Sequence, residues 1–286
     1  MKLFCAVTVL VLASLLQDGN AVLKKEFRTL LPFSVDEFLL GYRWSIAESS
    51  ILETGGGEGV QIVDDRTVDG KEEGDLHYTH RILHLETKAP PIFSGLAGGL
   101  FKVHEKSWLA SSGATTQYTE KRIMGDEFEM EIRSKFIDGD DCQTEGVLSQ
   151  SGSAEVIQVD FTAGIPAQQE FDPTQCASDQ GPLTPGWARS GDRPQMCVYT
   201  YVEVNFGWEI MQLVEERAMG AYQAILKKFY GQMFCWADDW AGLSEKKVEK
   251  KEMDTKTELN RIRQEGEVRG QIEGVFPNYK RVVQSL

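Results

Sequence analysis

The sequence predicts an α+β protein, an antiparallel sheet with one long helix lying across it. Three observations predict this. Residues 211–240 place Met211, Val214, Ala218, Tyr222, Ile225, Phe229, Met233, Trp236 and Trp240 at steps of three or four, the period of one helix face. Residues 127–136 alternate instead, with Phe128, Met130, Ile132, Ser134 and Phe136 on one side and Glu127, Glu129, Glu131, Arg133 and Lys135 on the other. That is the pattern of an antiparallel strand with one wet face. Residues 195–206 alternate in the same way, with Met196, Val198, Thr200, Val202, Val204 and Phe206 sharing a face. At ~1.5 Å per residue the helix would run about 45 Å. A helix of that length with a wide aromatic face needs an equally long apolar surface, and the strands supply one. Gly220 and Gly231 within it are expected to mark close packing or a bend.

The elements follow in order. Residues 1–21 read as a secretory signal: Lys2, then an uncharged apolar stretch over 3–16, then small residues at Gly19-Asn20-Ala21. The stretch is short for a transmembrane span. Cleavage after Ala21 is expected, and with it a secreted or lumenal location. An uncleaved anchor, leaving the domain on the cytoplasmic side, and an organelle-targeting leader are the alternatives. Residues 22–35 read as a short strand or an extended start, broken by Pro32. Ser34 or Asp36 is expected to begin a helix running through Phe38 to Ser49. The run 53–59 is a flexible, glycine-rich turn that lacks the Gly-Lys-Ser/Thr of a phosphate loop. Residues 60–63 are read as a short strand, 64–75 as a charged hairpin loop and 76–85 as a strand. On that strand His80 and His84 stand about 13 Å apart, too far to share a zinc ion. Residues 89–101 are apolar yet broken by Pro and Gly, the composition of a packed connection or of a lid over something greasy. Residues 154–162 are read as a strand and 172–194 as a loop. A last helix is expected from Glu245 to about Gln264. There Val248, Glu252, Thr255, Leu259 and Ile262 fall on one face, which puts the Glu252 carboxylate among apolar neighbours, where it needs a partner or a raised pKa.

Charge and chemistry narrow the function. A net charge of −14 over 286 residues argues against nucleic acid as a partner, and any membrane contact should be apolar. After the leader, Cys142, Cys176, Cys197 and Cys235 remain. An oxidising compartment would allow disulfides, with the connectivity left open, and their spacing matches no zinc motif. No nucleophile elbow, His-Glu-x-x-His or kinase set occurs, and Asp138-Gly-Asp-Asp lacks the remaining spacing of a calcium loop. Neither an enzyme nor a metal or cofactor site is expected. A sheet, a long helix and a few polar groups on otherwise apolar faces point to a lipid-holding cavity.

Ordered matches then carry a resemblance. They are Leu-Lys-Lys-Glu-Phe (23–27), Leu-Pro-Phe-Ser-Val-Asp-Glu-Phe (31–38), Glu-Thr-Gly-Gly-Gly-Glu-Gly-Val (53–60), Tyr-Thr-His-Arg (78–81), His-Glu-Lys-Ser-Trp (104–108), Gly-Pro-Leu-Thr-Pro-Gly-Trp (181–187), Met-Cys-Val-Tyr (196–199) and Phe-Cys-Trp-Ala-Asp-Asp-Trp (234–240). From residue 22 to about 270 the chain resembles phosphatidylinositol transfer proteins. The resemblance implies a helix-grip, START-like fold, with a curved antiparallel sheet wrapped on a long C-terminal helix around a lipid cavity. It implies a domain over 22–270, with a tail over 271–286. It further implies a monomer that encloses one phospholipid, exchanges it at membrane surfaces and performs no catalysis.

The resemblance also implies sites, residue by residue. The family holds inositol with Thr, Lys, Asn and Glu. Thr79 and Glu252 match, Arg81 stands for Lys with a planar fork instead of an ammonium, and Leu109 stands for Asn and cannot hydrogen-bond. The family holds the lipid phosphate with Gln, two Thr and Lys. Thr116 matches, Ser134 keeps a hydroxyl, Tyr42 stands for Gln and Thr200 for Lys. Membrane docking is expected from Trp208 and from Phe93, Leu96 and Phe101 of the lid. Phospholipid carriage is thus expected, with phosphatidylinositol, phosphatidylcholine or both as cargo and inositol selectivity weakened. A module that sequesters or senses lipid without transferring it is the second reading.

Overall fold

The structure is a computed structural model that describes residues 22–71, 74–85, 101–122, 125, 128–148, 154–164, 171–184, 186–206 and 212–269. The elements in chain order are β1 (Val22–Leu31), α1 (Val35–Leu52), β2 (Gly59–Asp69), β3 (Asp75–His84), β4 (Lys102–Ala110), β5 (Gly113–Thr119), β6 (Phe128–Asp138), β7 (Glu155–Gln158), α2 (Trp187–Ser190), β8 (Met196–Phe206), α3 (Gln212–Cys235), α4 (Ala237–Trp240) and α5 (Glu245–Ile262). The α+β class stands.

One sheet runs β2-β3-β4-β5-β6-β8-β1-β7. Neighbours are antiparallel except β7, which pairs parallel with β1, so the sheet is mixed rather than purely antiparallel. The four-residue β7 covers the otherwise open edge of β1, where a row of unpaired backbone groups would be left. It is shorter than the strand expected over 154–162. Val159 and Phe161 continue into the core as buried side chains beyond it.

The helix start lies at Ser34. Its side chain accepts from the Glu37 N–H, and the Glu37 carboxylate accepts from the Ser34 N–H, a reciprocal capping box. β2 extends to Asp69, where a loop was expected from residue 64. As an edge strand it pairs only with β3, and it tolerates charged side chains on its solvent face. β4 and β5 were not expected at all. Their inward positions carry Glu105, Ser107, Thr116 and Tyr118, so hydropathy does not alternate along them. The glycine-rich turn is anchored, not flexible. Gly56 N–H donates to the Glu265 carbonyl (2.9 Å) and Gly57 N–H to the Arg263 carbonyl (2.6 Å). Gly56 is left-handed (φ +61°), and a Cβ there would lie 2.5 Å from the backbone nitrogen of Val268.

The main core lies between the sheet and α1, α3 and α4, around Phe27, Phe38, Phe136, Val198, Val202, Met233, Phe234 and Trp240. A second, smaller core covers the other face of β8 with Cys142, Leu148, Tyr199 and Tyr201. β8 is therefore buried on both sides. Cys142 pairs with Cys197 and Cys176 with Cys235, at Cα separations of 5.3 and 5.6 Å. The second bridge ties the 171–184 segment to the end of α3. A Cβ on Gly231 would lie 3.1 Å from the Phe171 carbonyl oxygen, so that glycine marks close packing, whereas Gly220 faces open space. Among the described residues no helix is long and apolar enough to cross a membrane.

Candidate functional site

Strand register assembles the site. Thr79 pairs with Ser107 and Ser107 with Thr116 across β3, β4 and β5. Arg81 pairs with Glu105 and Glu105 with Tyr118 along the next row. Leu109 leads through Ala114 and Ser134 to Thr200 along a third. Directly opposed residues share a face, so one side of the sheet carries Thr79, Arg81, Thr116, Ser134 and Thr200, while Tyr42 and Glu252 come from helices.

Two chambers lie over that face. The larger, about 210 Å³, sits between the sheet and α3 and is walled by Phe38, Tyr42, Phe136, Tyr222, Phe229 and Tyr230, with Arg81, Glu105, Ser107, Thr116, Ser134 and Thr200 among the remaining lining residues. Ile225 lines it while 45% exposed, so the chamber reaches the surface there. The smaller, about 50 Å³, lies between α1, α5 and the β2-β3-β4 end of the sheet. Arg43, Asp65, His77, Thr79, Arg81, Leu109, Glu252 and Thr255 are among its lining residues. Tyr42, Ile46, Arg81 and Ser107 line both, so the chambers adjoin. The lining thus changes from aromatic in one chamber to charged in the next.

The charges inside are matched in pairs. Arg81 Nη2 lies 3.0 Å from Glu105 Oε1. Burial works against the Arg81 charge, but Glu105, Tyr118, Tyr42 and Asp65 together hold the pKa above its ordinary value. The partner that Glu252 needs is Arg43: Nε reaches Oε1 at 3.1 Å and Nη2 reaches Oε2 at 2.6 Å. For Arg43 too, burial lowers the pKa, and Glu252, Glu245 and Glu249 together more than restore it. His77 Nε2 lies 2.7 Å from Asp65 Oδ1; burial raises the Asp65 pKa, but His77, Lys256 and Arg43 together bring it below the usual carboxylate range. The hydroxyls pair as well, Ser107 with Thr116 at 2.9 Å and Ser134 with Thr200 at 3.2 Å. Tyr42, Tyr118, Tyr222 and Tyr230 all have pKa values raised, by burial first. Their phenols are neutral donors over a wide pH range.

Thr79, Arg81 and Glu252 thus come together at the smaller chamber, and Tyr42, Thr116, Ser134 and Thr200 at the larger. Trp208, Phe93 and Leu96 lie outside the described residues. Phe101 is only 5% exposed, and its carbonyl accepts from the Leu85 N–H at 3.0 Å, so in this conformation it is packed inward and not presented to a membrane. Arg43, Glu105 and Ser107 were missed. Arg43, Ala47 and Ser50 follow at steps of four and three on α1, so helical spacing alone could have put Arg43 on the inward face. His80 and His84 go to separate partners, His104 at 3.1 Å and Gln61 at 2.9 Å. Among the described residues one group, Asp140, Cys142 and Cys197, is close enough to share a metal, but its two sulfurs are bonded to each other.

Comparison with known proteins follows the same lines. The model of the family described as phosphatidylinositol transfer protein matches residues 22–257. The human phosphatidylinositol transfer protein beta isoform is 33% identical over 276 residues, covering 87% of this chain and 97% of its own. Phosphatidylinositol transfer protein 1 of Dictyostelium discoideum is 33% identical over 255 residues, covering 84% and 95%. The Drosophila melanogaster relative, 29% identical over 251 residues and covering 84% and 90%, is named cytoplasmic phosphatidylinositol transfer protein 1. That finding conflicts with the secretory or lumenal location expected from residues 1–21, and the expectation is corrected accordingly.

Proposed function

The chain belongs to the phosphatidylinositol transfer protein family, and from that premise we propose that it binds one phospholipid at a time and carries it between membranes. The observation that carries this reading is the pair of adjoining chambers, one under α3 and aromatic, the other between α1 and α5 and charged. An amphiphile with a polar head and apolar tails matches that gradient, and few polar anchors in a largely apolar cavity suffice to orient it. Thr79, Arg81 and Glu252 mark the headgroup end; Tyr42, Thr116, Ser134 and Thr200 flank the phosphate. We assign the finer fold as helix-grip, START-like, over 22–270, a reading supported by α3 lying across the inner sheet face. Trp208, Phe93 and Leu96 are the membrane contacts in this reading, made transiently by a monomer, and Phe101 joins them only if its own side chain leaves its packed position. The lining groups are paired for structure and offer no nucleophile with a base in reach, which favours a carrier without catalysis or resident cofactor.

Vesicle assays test this directly. The full chain should move labelled phospholipid from donor to acceptor vesicles, and Trp208→Ala should slow the movement several-fold while leaving the bound lipid in place. Binding without exchange would instead identify a sequestering module. An unchanged rate in the variant would remove Trp208 from docking.

A further inference from the structure

The smaller chamber is built where the family resemblance expects an inositol ring, yet its charged groups are already paired. Both oxygens of Glu252 are held by Arg43, at 3.1 and 2.6 Å. Arg81 is held by Glu105 at 3.0 Å. Position 109 is Leu, which can neither donate nor accept. Arg81 and Glu252 are thus both ion-paired, and Thr79 is the remaining residue of the expected set that can hydrogen-bond.

Space is as restrictive as bonding. About 50 Å³ is open in that chamber, room for roughly four waters at ~10–15 Å³ each. The Arg43 guanidinium lines that space, so a ring bearing a hydroxyl on every carbon would meet it there. Arg43 is also firmly placed. Its side chain is 14% exposed, it links α1 to α5, and a further carboxylate, Glu245, lies 3.4 Å away. Moving it aside would leave Glu252, itself 13% exposed, as an unpaired buried charge.

Resting on the phospholipid-carrier reading, we propose that Arg43 determines cargo specificity: it occupies the headgroup end of the cavity as a built-in cation, excludes inositol, and leaves a zwitterionic phospholipid as the preferred cargo. The headgroup then ends at the Arg81–Glu105 pair. One cation and one carboxylate side by side complement a phosphate joined to an ammonium group, whereas an inositol phosphate brings a negative charge with no positive one. Tyr42 and Tyr118 line the same chamber and add aromatic faces suited to an ammonium group.

The test is competitive. The full chain is incubated with vesicles of equal phosphatidylcholine and phosphatidylinositol, and bound lipids are measured by mass spectrometry. Transfer of each lipid is followed separately. The wild-type chain should carry phosphatidylcholine over phosphatidylinositol by at least tenfold. Arg43→Leu should shift that ratio toward phosphatidylinositol by tenfold or more, and Arg43→Leu with Leu109→Asn by more again. Arg43→Gln guards against misfolding, since its shorter amide still satisfies part of Glu252, and it should shift the ratio in the same direction. Equal carriage of both lipids by the wild-type chain, or an unchanged ratio in folded Arg43→Gln, overturns the proposal. Wild-type protein that binds neither lipid marks the failure of phospholipid carriage itself.

Discussion

His84 shows what one side chain contributes through its surroundings. It is 5% exposed, with Nε2 2.9 Å from Gln61 Oε1. Burial, reinforced by Arg263, Lys102 and His104, lowers its pKa from 6.5 to about 4. The unfolded imidazole takes a proton as the pH falls through 6.5, but the folded one waits until about 4. Across that window the unfolded chain binds more protons, so stability falls as pH falls, and the effect levels off below about 4. Urea midpoints at pH 7 and pH 4.5 should therefore differ less in His84→Gln than in the wild-type chain; equal differences would exclude His84 as the source. Asp65, held below its usual range, acts in the same direction and stays in both proteins. At this scale the sequence was partly legible. Ser134 and Thr200 lie on the chamber wall because strand alternation puts each hydroxyl on an otherwise apolar face, whereas Thr79 and Thr116, also on chamber walls, were reached only through the family resemblance. The partner of Glu252 was not legible, because Arg43 stands 209 residues away and only tertiary packing joins them.

The crossing of α1 with the end of α3 and α4 turns on a missing Cβ. Gly41 faces the Trp240 ring, and a methyl there would come within 2.8 Å of Trp240 Cε2. Trp240 has no room to retreat, being 2% exposed with its Nε1–H donating to the Met233 carbonyl at 2.8 Å. Alanine would add about 1 kcal/mol of helix propensity, whereas overpacking a fixed core costs about 1–3 kcal/mol. Gly41→Ala should be net destabilising, visible as a lower Tm and urea midpoint, and a stabilised variant would show that the ring yields. Helices with wide apolar faces and the clean strands β6 and β8 were readable from periodicity alone. β4 and β5 were not, because strands that line a chamber carry inward hydroxyls and a carboxylate, and this removes the alternation a reader relies on. β2 was truncated for the related reason that an edge strand is free to be charged on its outer face.

For the molecule as a whole, the decisive quantity is room. Chambers of about 210 and 50 Å³ fall short of the roughly 300–1,000 Å³ of sites that hold drug-sized ligands, and a two-tailed lipid needs more. Loading must therefore part α3 from the inner sheet face, and the half-exposed Ile225 marks where the wall is already thin. The other side of the sheet is tied differently. Tyr199 donates to Asp140 at 2.6 Å, Arg28 Nη1 donates to the Cys142 carbonyl at 3.2 Å, and Cys142 is bridged to Cys197. Those ties hold β8 and its covering loop whether or not cargo is present. Loading should consequently act on one face only. A ligand that binds the folded state alone stabilises it by about 2.7 kcal/mol at a hundred times its Kd, so lipid-loaded protein should melt higher than delipidated protein. Hydrogen exchange should slow on loading along 222–235 of α3 and along β5 and β6, while β1, β7 and the 139–148 loop keep their rates. Slowing spread evenly over both faces would mean general stabilisation without a cargo chamber, and unchanged exchange in α3 would place the lipid elsewhere.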